Sequence, residues 1–331
     1  MKPLLSIVVA AFNVEQYIAQ CLDSLIRHEI KEIEIIVIDD GSSDKTFDII
    51  KAYADLDNRV KVYSKPNGGL GSARNYGIEK STGYYIGFLD GDDYVDLRMY
   101  SFLLDRARAY DADIVSCVHT CFYDGDESPA YIYPKYPFEA QEFFFPKNDN
   151  QKHRAILNYS VCNKIFKRHL ILRFYENLLH EDVPFVFRLY LSKVSVLVTS
   201  APLHYYRQGR VGQLTRRDDK SRFDLFKIDT VLKGLLLESH ASYEWYSFYF
   251  FWKISFFNTV YNRLSPRFKA EYFNCASRSF RSDINGFFFQ LKCLKGRRLR
   301  FCLFYFGLRS LYSGLCCIDS IFFALKRHLF S

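Results

Sequence analysis

Three carboxylates, Asp90, Asp92 and Asp93, crowd around Gly91 where the strand-like run Ile86-Gly87-Phe88-Leu89 stops. Like charges at that spacing repel and raise one another's pKa. A hard divalent cation such as Mg²⁺ or Mn²⁺ prefers carboxylate oxygens and relieves the repulsion. Held there, it would in turn hold phosphates. The plain alternative is a solvated acidic turn after a strand. The decision between them turns on whether other polar groups are brought to the same place.

The elements preceding Asp90 do this in order. Leu4–Ala11 is a nearly continuous apolar run of strand length that ends at Phe12-Asn13, and Val14–His28 has helical spacing (Tyr17, Ile18, Cys21, Leu22, Leu25, Ile26). Ile33–Ile38 is a second, β-branched strand. Asp39-Asp40-Gly41-Ser42-Ser43-Asp44 follows it, with Ser43 or Asp44 able to cap the next helix. Val60–Tyr63 is a third strand, Asn67-Gly68-Gly69-Leu70-Gly71 opens a helix that runs through Ala73 and Ile78, and Tyr85–Leu89 is a fourth strand. Alternating strands and helices predict right-handed crossovers and an α/β fold with a mostly parallel sheet. Such sheets bind ligands at the carboxyl ends of their strands. Asn13, Asp40, the glycine loop and the Asp90 cluster should therefore share one crevice. Taken singly, Asp39–Ser42 reads as a turn with a helix cap and Asn67–Gly69 as a loop. No G-x-G-x-x-G and no Gly-Lys-Ser/Thr loop occurs, so neither a dinucleotide site nor an NTPase is supported.

At 331 residues the chain can hold one domain of roughly 200 residues plus an appendage. Aromatic residues reach 18%, mostly in the second half, an excess that needs its own explanation. The nine cysteines show no C-x-x-C pairing and no secretory signal precedes them, which predicts reduced, mostly buried thiols and a cytoplasmic N-terminus. The net charge of +8 is uneven: from Arg263 onward 13 Lys/Arg face only Glu271, Asp283 and Asp319. That polarity predicts an anionic surface as partner for the tail.

The ordered set Ser6-Ile7-Val8-Val9-Ala10-Ala11-Phe12-Asn13, Ile38–Asp44, Gly69-Leu70-Gly71-Ser72-Ala73-Arg74-Asn75 and Leu89-Asp90-Gly91-Asp92-Asp93 resembles the family 2 glycosyltransferases, inverting enzymes on the Rossmann-like GT-A fold. The resemblance covers about the first 215 residues. It implies a catalytic domain over 1–215, with a nucleotide-sugar half (1–110) and an acceptor half (111–215), and a helical region over 216–331. The implied donor is a UDP-sugar. Ala10-Ala11 and Phe12 would border the base, Asp40 (or Asp39) would accept from the uracil imide, and Asn13 and Glu15 would support that pocket. An ionised carboxylate suits that N–H. Gly69, Arg74 and Asn75 would steady base or phosphates. Asp90, with Gly91, would face ribose and metal, and Asp92 would coordinate Mn²⁺ or Mg²⁺ directly. The cation would neutralise charge on the departing UDP.

Further on, Val161–Arg168 resembles the family's Asn-Lys strand, and Leu178–Phe185 its Glu-Asp motif, which makes Asp182 the base and Glu181 its orienting partner. The alternative is a pair of acids complementing a helix dipole; Pro184 fits a helix start in either case. Val194–Val198 reads as the last core strand. Leu203–Gln208 resembles the Tyr-Arg motif, whose Arg207 would bind the diphosphate bidentately; His204 is either a metal or phosphate ligand or an ordinary strand-end histidine. Gly212-Gln213-Leu214-Thr215 lacks the Ser that many relatives carry before the Thr.

The stretch Phe122–Gln151 is expected to form a hairpin and loop along an acceptor cleft. The aromatic run Trp245–Phe257 is too short for a convincing span. Arg297–Arg300, Phe301–Leu325 and Lys326–His328 together suit a helix lying on an anionic leaflet, with a packed appendage or an oligomer interface as the alternative. No nucleic-acid motif appears. The expected protein is thus peripheral on the cytoplasmic face of a bacterial inner membrane, moving a hexose or N-acetylhexosamine to a lipid-linked saccharide. Competing readings are a sugar nucleotidyltransferase, which lacks its basic glycine-rich loop here, and a non-catalytic glycan-binding protein.

Overall fold

The computed structural model describes residues 2–28, 30–134, 141–149 and 159–287. The chain divides into two compact units, Met1–Arg216 and a second from Arg217 onward.

In the first unit β1 (Leu5–Ala11), α1 (Ile18–Ile26), β2 (Ile33–Asp39), α2 (Thr46–Leu56), β3 (Val60–Ser64), α3 (Leu70–Lys80) and β4 (Tyr85–Asp90) alternate as expected. Every residue of β1 and β2 is buried. Strands covered by helices on both faces need apolar residues throughout, which explains runs such as Leu5–Ala11 and Ile33–Ile38 without alternation. The strands lie in the order β3-β2-β1-β4, all parallel. Register aligns Ala11 with Asp39 and Ala10 with Asp90, so three polar strand ends finish at one level. Asp44, not Ser43, meets the start of α2, accepting from the Thr46 amide at 3.0 Å.

The rest of this unit comprises β5 (Tyr94–Val95), α4 (Met99–Ala109), β6 (Ile114–Tyr123), β7 (Asp126–Tyr133), β8 (Glu142–Phe145), β9 (Lys164–Lys167), α5 (Asp182–Leu191) and β10 (Val196–Gln208). Strand β9 runs antiparallel between β4 and β6, and β10 lies parallel to β6. The last core strand and the Tyr-Arg segment are one thirteen-residue strand, with its register broken between Val198 and His204 around Pro202. A proline cannot donate to the ladder, so it sits at the irregularity. Of the stretch expected to wall an acceptor cleft, β7 and β8 are described; residues 135–140, 150 and 151 lie outside the described residues.

The second unit contains α6 (Asp224–Glu238), α7 (Tyr243–Arg263) and α8 (Pro266–Phe287). The aromatic excess is its core: Tyr249, Trp252, Phe257, Tyr261, Tyr272, Phe273 and Phe280 are buried, and the rings of Phe226, Phe257 and Tyr272 meet edge-on or tilted with centroids within 6.2 Å of one another. Lys253 is wholly buried, donating to Asp229 (2.9 Å), Ser279 (2.6 Å) and Asp283 (2.6 Å) across the three helices. Among the described residues no helix is long and apolar enough to cross a membrane. The segments Arg297–Arg300, Phe301–Leu325 and Lys326–His328 lie outside the described residues.

Candidate active site

At the carboxyl end of β2 the Asp40 carboxylate accepts from the Gly68 amide (3.1 Å), the Gly69 amide (2.7 Å) and Lys65 Nζ (2.6 Å). It thereby ties the glycine loop to the sheet. Gly69 has φ +81°, a conformation natural to glycine, and leads directly into α3. Asp39 is turned inward to the Ser42 amide and the Ser64 hydroxyl. Asn13, itself left-handed at φ 49°, accepts from the Ser43 amide (2.8 Å), and Glu15 accepts from the Lys45 amide (2.8 Å). These two hold the β1 and β2 end loops together. Ala11 is buried and accepts from the Asp40 amide, whereas the Phe12 ring beside it is exposed. Asn75 is buried and faces Phe174 and Glu176, bracing α3 against the segment that precedes α5.

The carboxylate oxygens of Asp90, Asp92 and Asp93 come within 4.8 Å of one another. Gly91 makes that turn possible because a side chain there would press on Ile18, Val14 and the Ala10 carbonyl, all near 3.2 Å. Asp93 is buried and points inward, accepting from the Arg207 amide at 2.8 Å. Burial, then the negative neighbours Asp92 and Asp90, push its carboxyl well above the usual range. Burial also raises Asp92, against the pull of Arg210. Asp90 and Asp92 stay partly exposed, so the hard-oxygen donor set fits Mg²⁺ or Mn²⁺ with those two as ligands. His204 sits behind the cluster: wholly buried, its Nδ1 is 2.9 Å from His119 Nδ1 and its Nε2 is 3.6 Å from Asp93. Burial lowers its pKa to about 3, so it packs as a neutral ring beneath Asp93.

Arg74 connects this cluster to α5. Its guanidinium donates to Asp90 at 2.8 Å and, through the other terminal nitrogen, to Glu181. Both Arg74 and Glu181 are buried. Glu181 caps α5 and Asp182 opens its first turn, after a left-handed His180 (φ 67°). Burial raises Asp182 to about 6 and Glu181 to about 7, with Arg74 opposing both shifts. The buried Lys164, bonded to Ser160 and Asn163 and itself lowered to about 8 by burial, also opposes the rise at Asp182.

Arg207 is held on every side. It lies 4.7 Å from both the Tyr17 and Phe122 rings, and its three nitrogens donate to the Asp92 carbonyl, Asp124 and Gln20. Sequence reasoning missed Gln20, Tyr17, Asp124 and Arg210, whereas Lys164 belongs to the Asn-Lys strand it singled out. Only Arg210 carried a signal, a second arginine in a glycine-flanked turn after the Tyr-Arg segment.

The Asp40 anchor and the carboxylate triple lie within the segment that a family model matches, and the acids opening α5 follow just after it. The family model described as "Glycosyl transferase family 2" matches residues 6–173, just over half of the chain. The chain belongs to glycosyl transferase family 2. Among curated members of this family, it is 36% identical over 220 residues to the uncharacterized glycosyltransferase EpsJ of Bacillus subtilis (strain 168), covering 63% of this chain and 62% of that protein. To the putative glycosyltransferase EpsH of the same strain it is 33% identical over 233 residues, covering 67% and 65%. The chain therefore spans less than two thirds of the length of these relatives. A crystal structure of S. aureus TarS residues 1–349 with UDP superposes at TM-score 0.72 with 20% identity, over 94% of this chain and 89% of that one. The corresponding UDP-GlcNAc complex superposes at 0.68 with 19% identity, over 93% and 92%. These likenesses establish the shared GT-A fold.

Proposed function

We propose that the protein is a metal-dependent, inverting glycosyltransferase that moves a hexose or N-acetylhexosamine from a UDP-sugar to a lipid-linked saccharide. The observation that carries this reading is Arg74: one guanidinium touches both Asp90 of the carboxylate cluster and Glu181, the neighbour of Asp182. One side chain thus links the candidate cation-holding group to the neighbour of the candidate proton acceptor.

Asp182 takes the proton from the acceptor hydroxyl as that oxygen attacks opposite the leaving phosphate. With a pKa near 6 it is ionised at neutral pH yet still basic enough to accept a proton. Glu181, clamped by Arg74, fixes the start of α5 and hence the Asp182 side chain. Asp92 and Asp90 would hold the divalent cation, whose chemistry is to neutralise charge on the departing diphosphate. Asp40 would accept from the uracil imide at the position now taken by the partly exposed Lys65 ammonium, with the Phe12 ring against the base. TarS structures with UDP and UDP-GlcNAc support the uridine nucleotide.

The second unit would bring the enzyme to an anionic membrane surface. Exposed Tyr243, Phe251 and Leu237 together with exposed Arg267, Arg278 and Arg281 support this. The test of the whole reading is a screen of UDP-sugars for Mn²⁺-dependent hydrolysis and transfer. Near-normal transfer by both Asp92→Asn and Asp182→Asn would refute it.

A further inference from the structure

Arg207 lies near the end of β10 and Arg210 just beyond it, and although both side chains are largely buried against Tyr17, they are held differently. Arg207 is enclosed by Tyr17, Phe122, Gln20, Asp124 and the Asp92 carbonyl. Arg210 instead sits on a projecting turn between Gly209 (φ +91°) and Gly212 (φ +77°), beside Val211, which is 94% exposed. Neither glycine is crowded, so both are there for their left-handed backbone. The base of the turn is fixed: Gln213 accepts from the Gly209 amide at 2.9 Å and donates to the Arg207 carbonyl at 2.7 Å, and Arg216 donates to the Gly209 carbonyl at 2.8 Å. From the tip, Arg210 Nε reaches back to Asp92 Oδ2 at 2.5 Å. Its other bond is to the neighbouring Val211 carbonyl at 3.1 Å.

We propose that Arg210 is the counter-ion Asp92 keeps until cation and donor arrive, and that its guanidinium then passes to the donor's diphosphate. The inference rests on the function proposed above. It follows from competition for one carboxylate. A divalent cation on Asp92 would stand within a few ångströms of the Arg210 guanidinium bonded to Oδ2, so the two positive charges oppose each other. Among the described residues Arg210 has no second carboxylate bond to offset this, as Glu181 does for Arg74. A cation arriving alone therefore works against the Arg210–Asp92 bond and favours release of the guanidinium. A diphosphate supplies a replacement anion and matches the guanidinium fork. Arg210 thereby couples the two ligands, and the coupling is reciprocal. Arg74, the other guanidinium on the cluster, keeps Glu181 as a second partner and stays in place.

Mn²⁺ binding to the full chain, followed by electron paramagnetic resonance and calorimetry with and without UDP, tests this. In the wild type, UDP should tighten Mn²⁺ binding on the order of tenfold. Arg210→Met should bind Mn²⁺ alone about tenfold more tightly than the wild type and lose most of the UDP-dependent gain. Arg210→Lys, which keeps a positive charge for Asp92, should stay close to the wild type. Equal Mn²⁺ affinity of wild type and Arg210→Met in the absence of UDP, with both folded by thermal melt, overturns the inference while leaving the proposed function standing. Failure of the wild type to bind Mn²⁺ or UDP under any of these conditions would overturn that function as well.

Discussion

Replacing Asp182 with Asn should stabilise the protein at the same time as it stops transfer. Asp182 ionises near 6 in the folded chain instead of near 3.8, chiefly because it is buried. The folded state therefore prefers the proton. Stability linked to that proton is fully present below pH 3.8 and is lost as the pH rises through about 6. At pH 8 the ionised carboxylate costs at most ~3 kcal/mol, from ~1.4 kcal/mol per pH unit. Part of the side chain meets solvent, which reduces the expected cost to roughly 1–2 kcal/mol. Asn keeps the shape and carries no charge. In a unit of this size that corresponds to a melting temperature higher by roughly 3–6 °C at pH 8. At pH 4.5 the folded carboxyl is protonated while the unfolded one is still largely ionised, so roughly a third of the difference should remain, and it should vanish only below about pH 3. Differential scanning calorimetry at pH 8 and pH 4.5 in EDTA, so that no cation perturbs Asp90, reads this directly. Transfer at pH 8 should fall ~10²–10⁴-fold in the same variant. A lower melting temperature at pH 8, or an equal gain at both pH values, would show that burial does not govern Asp182.

Three other substitutions test separate parts of the structure. Asp92→Asn removes a cation ligand and the partner of Arg210, so transfer should fall ~10²–10³-fold and Mn²⁺ resonance should show no tight site; retained Mn²⁺ binding refutes the assignment. Gly71→Ala would place a methyl 2.6 Å from the Tyr175 carbonyl and 3.4 Å from the Glu181 side chain. It should cost about 1–3 kcal/mol by urea denaturation and lower kcat, and an unchanged midpoint would contradict the close packing. Lys253→Met leaves buried Asp229 and Asp283 with Lys233 as their one remaining shared cation among the described residues, a loss of about 3–5 kcal/mol. Adding Asp283→Asn should recover part of it, and no recovery would mean that the charges are not what Lys253 satisfies.

Much of this arrangement was legible in the order of residues, for a physical reason. Doubly covered parallel strands must be apolar throughout, so their polar ends stand out, and Asn13, Asp40 and Asp90 mark the level at which β1, β2 and β4 finish. Gly91 and the acids around it were legible because that spacing needs an external charge to be stable. What stayed hidden depends on direction rather than type. The Tyr-Arg motif singles out Arg207 for an anion and is silent on Arg210, yet the packing of Phe122, Asp124 and Gln20 encloses Arg207 and leaves Arg210 on Asp92. His204 carries a metal-ligating side chain but faces inward to His119, because β6 and β10 pair in parallel with those residues opposite each other. The aromatic run of α7 read only as too short for a membrane span, and most of its rings fill the core of a helical unit. Periodicity could not reveal that in a helix with aromatics on nearly every face.

The placement of Arg74 gives Asp40 a duty independent of any base it contacts. Arg74 can reach Asp90 and Glu181 only if α3 starts at the right point and sits close to the sheet. The first condition is met where Asp40 takes the amides of Gly68 and Gly69 just before the helix. The second is met at Gly77, where a methyl group would fall 2.2 Å from Val8. A charge at the end of β2 thus sets the position of a guanidinium one turn into α3, and that guanidinium sets the acid at the start of α5. Loss of the Asp40 carboxylate should accordingly be felt at Asp182 as well as at the nucleotide. On the function proposed above, binding and proton transfer would share a mechanical support, because α3 links Asp40 to Glu181.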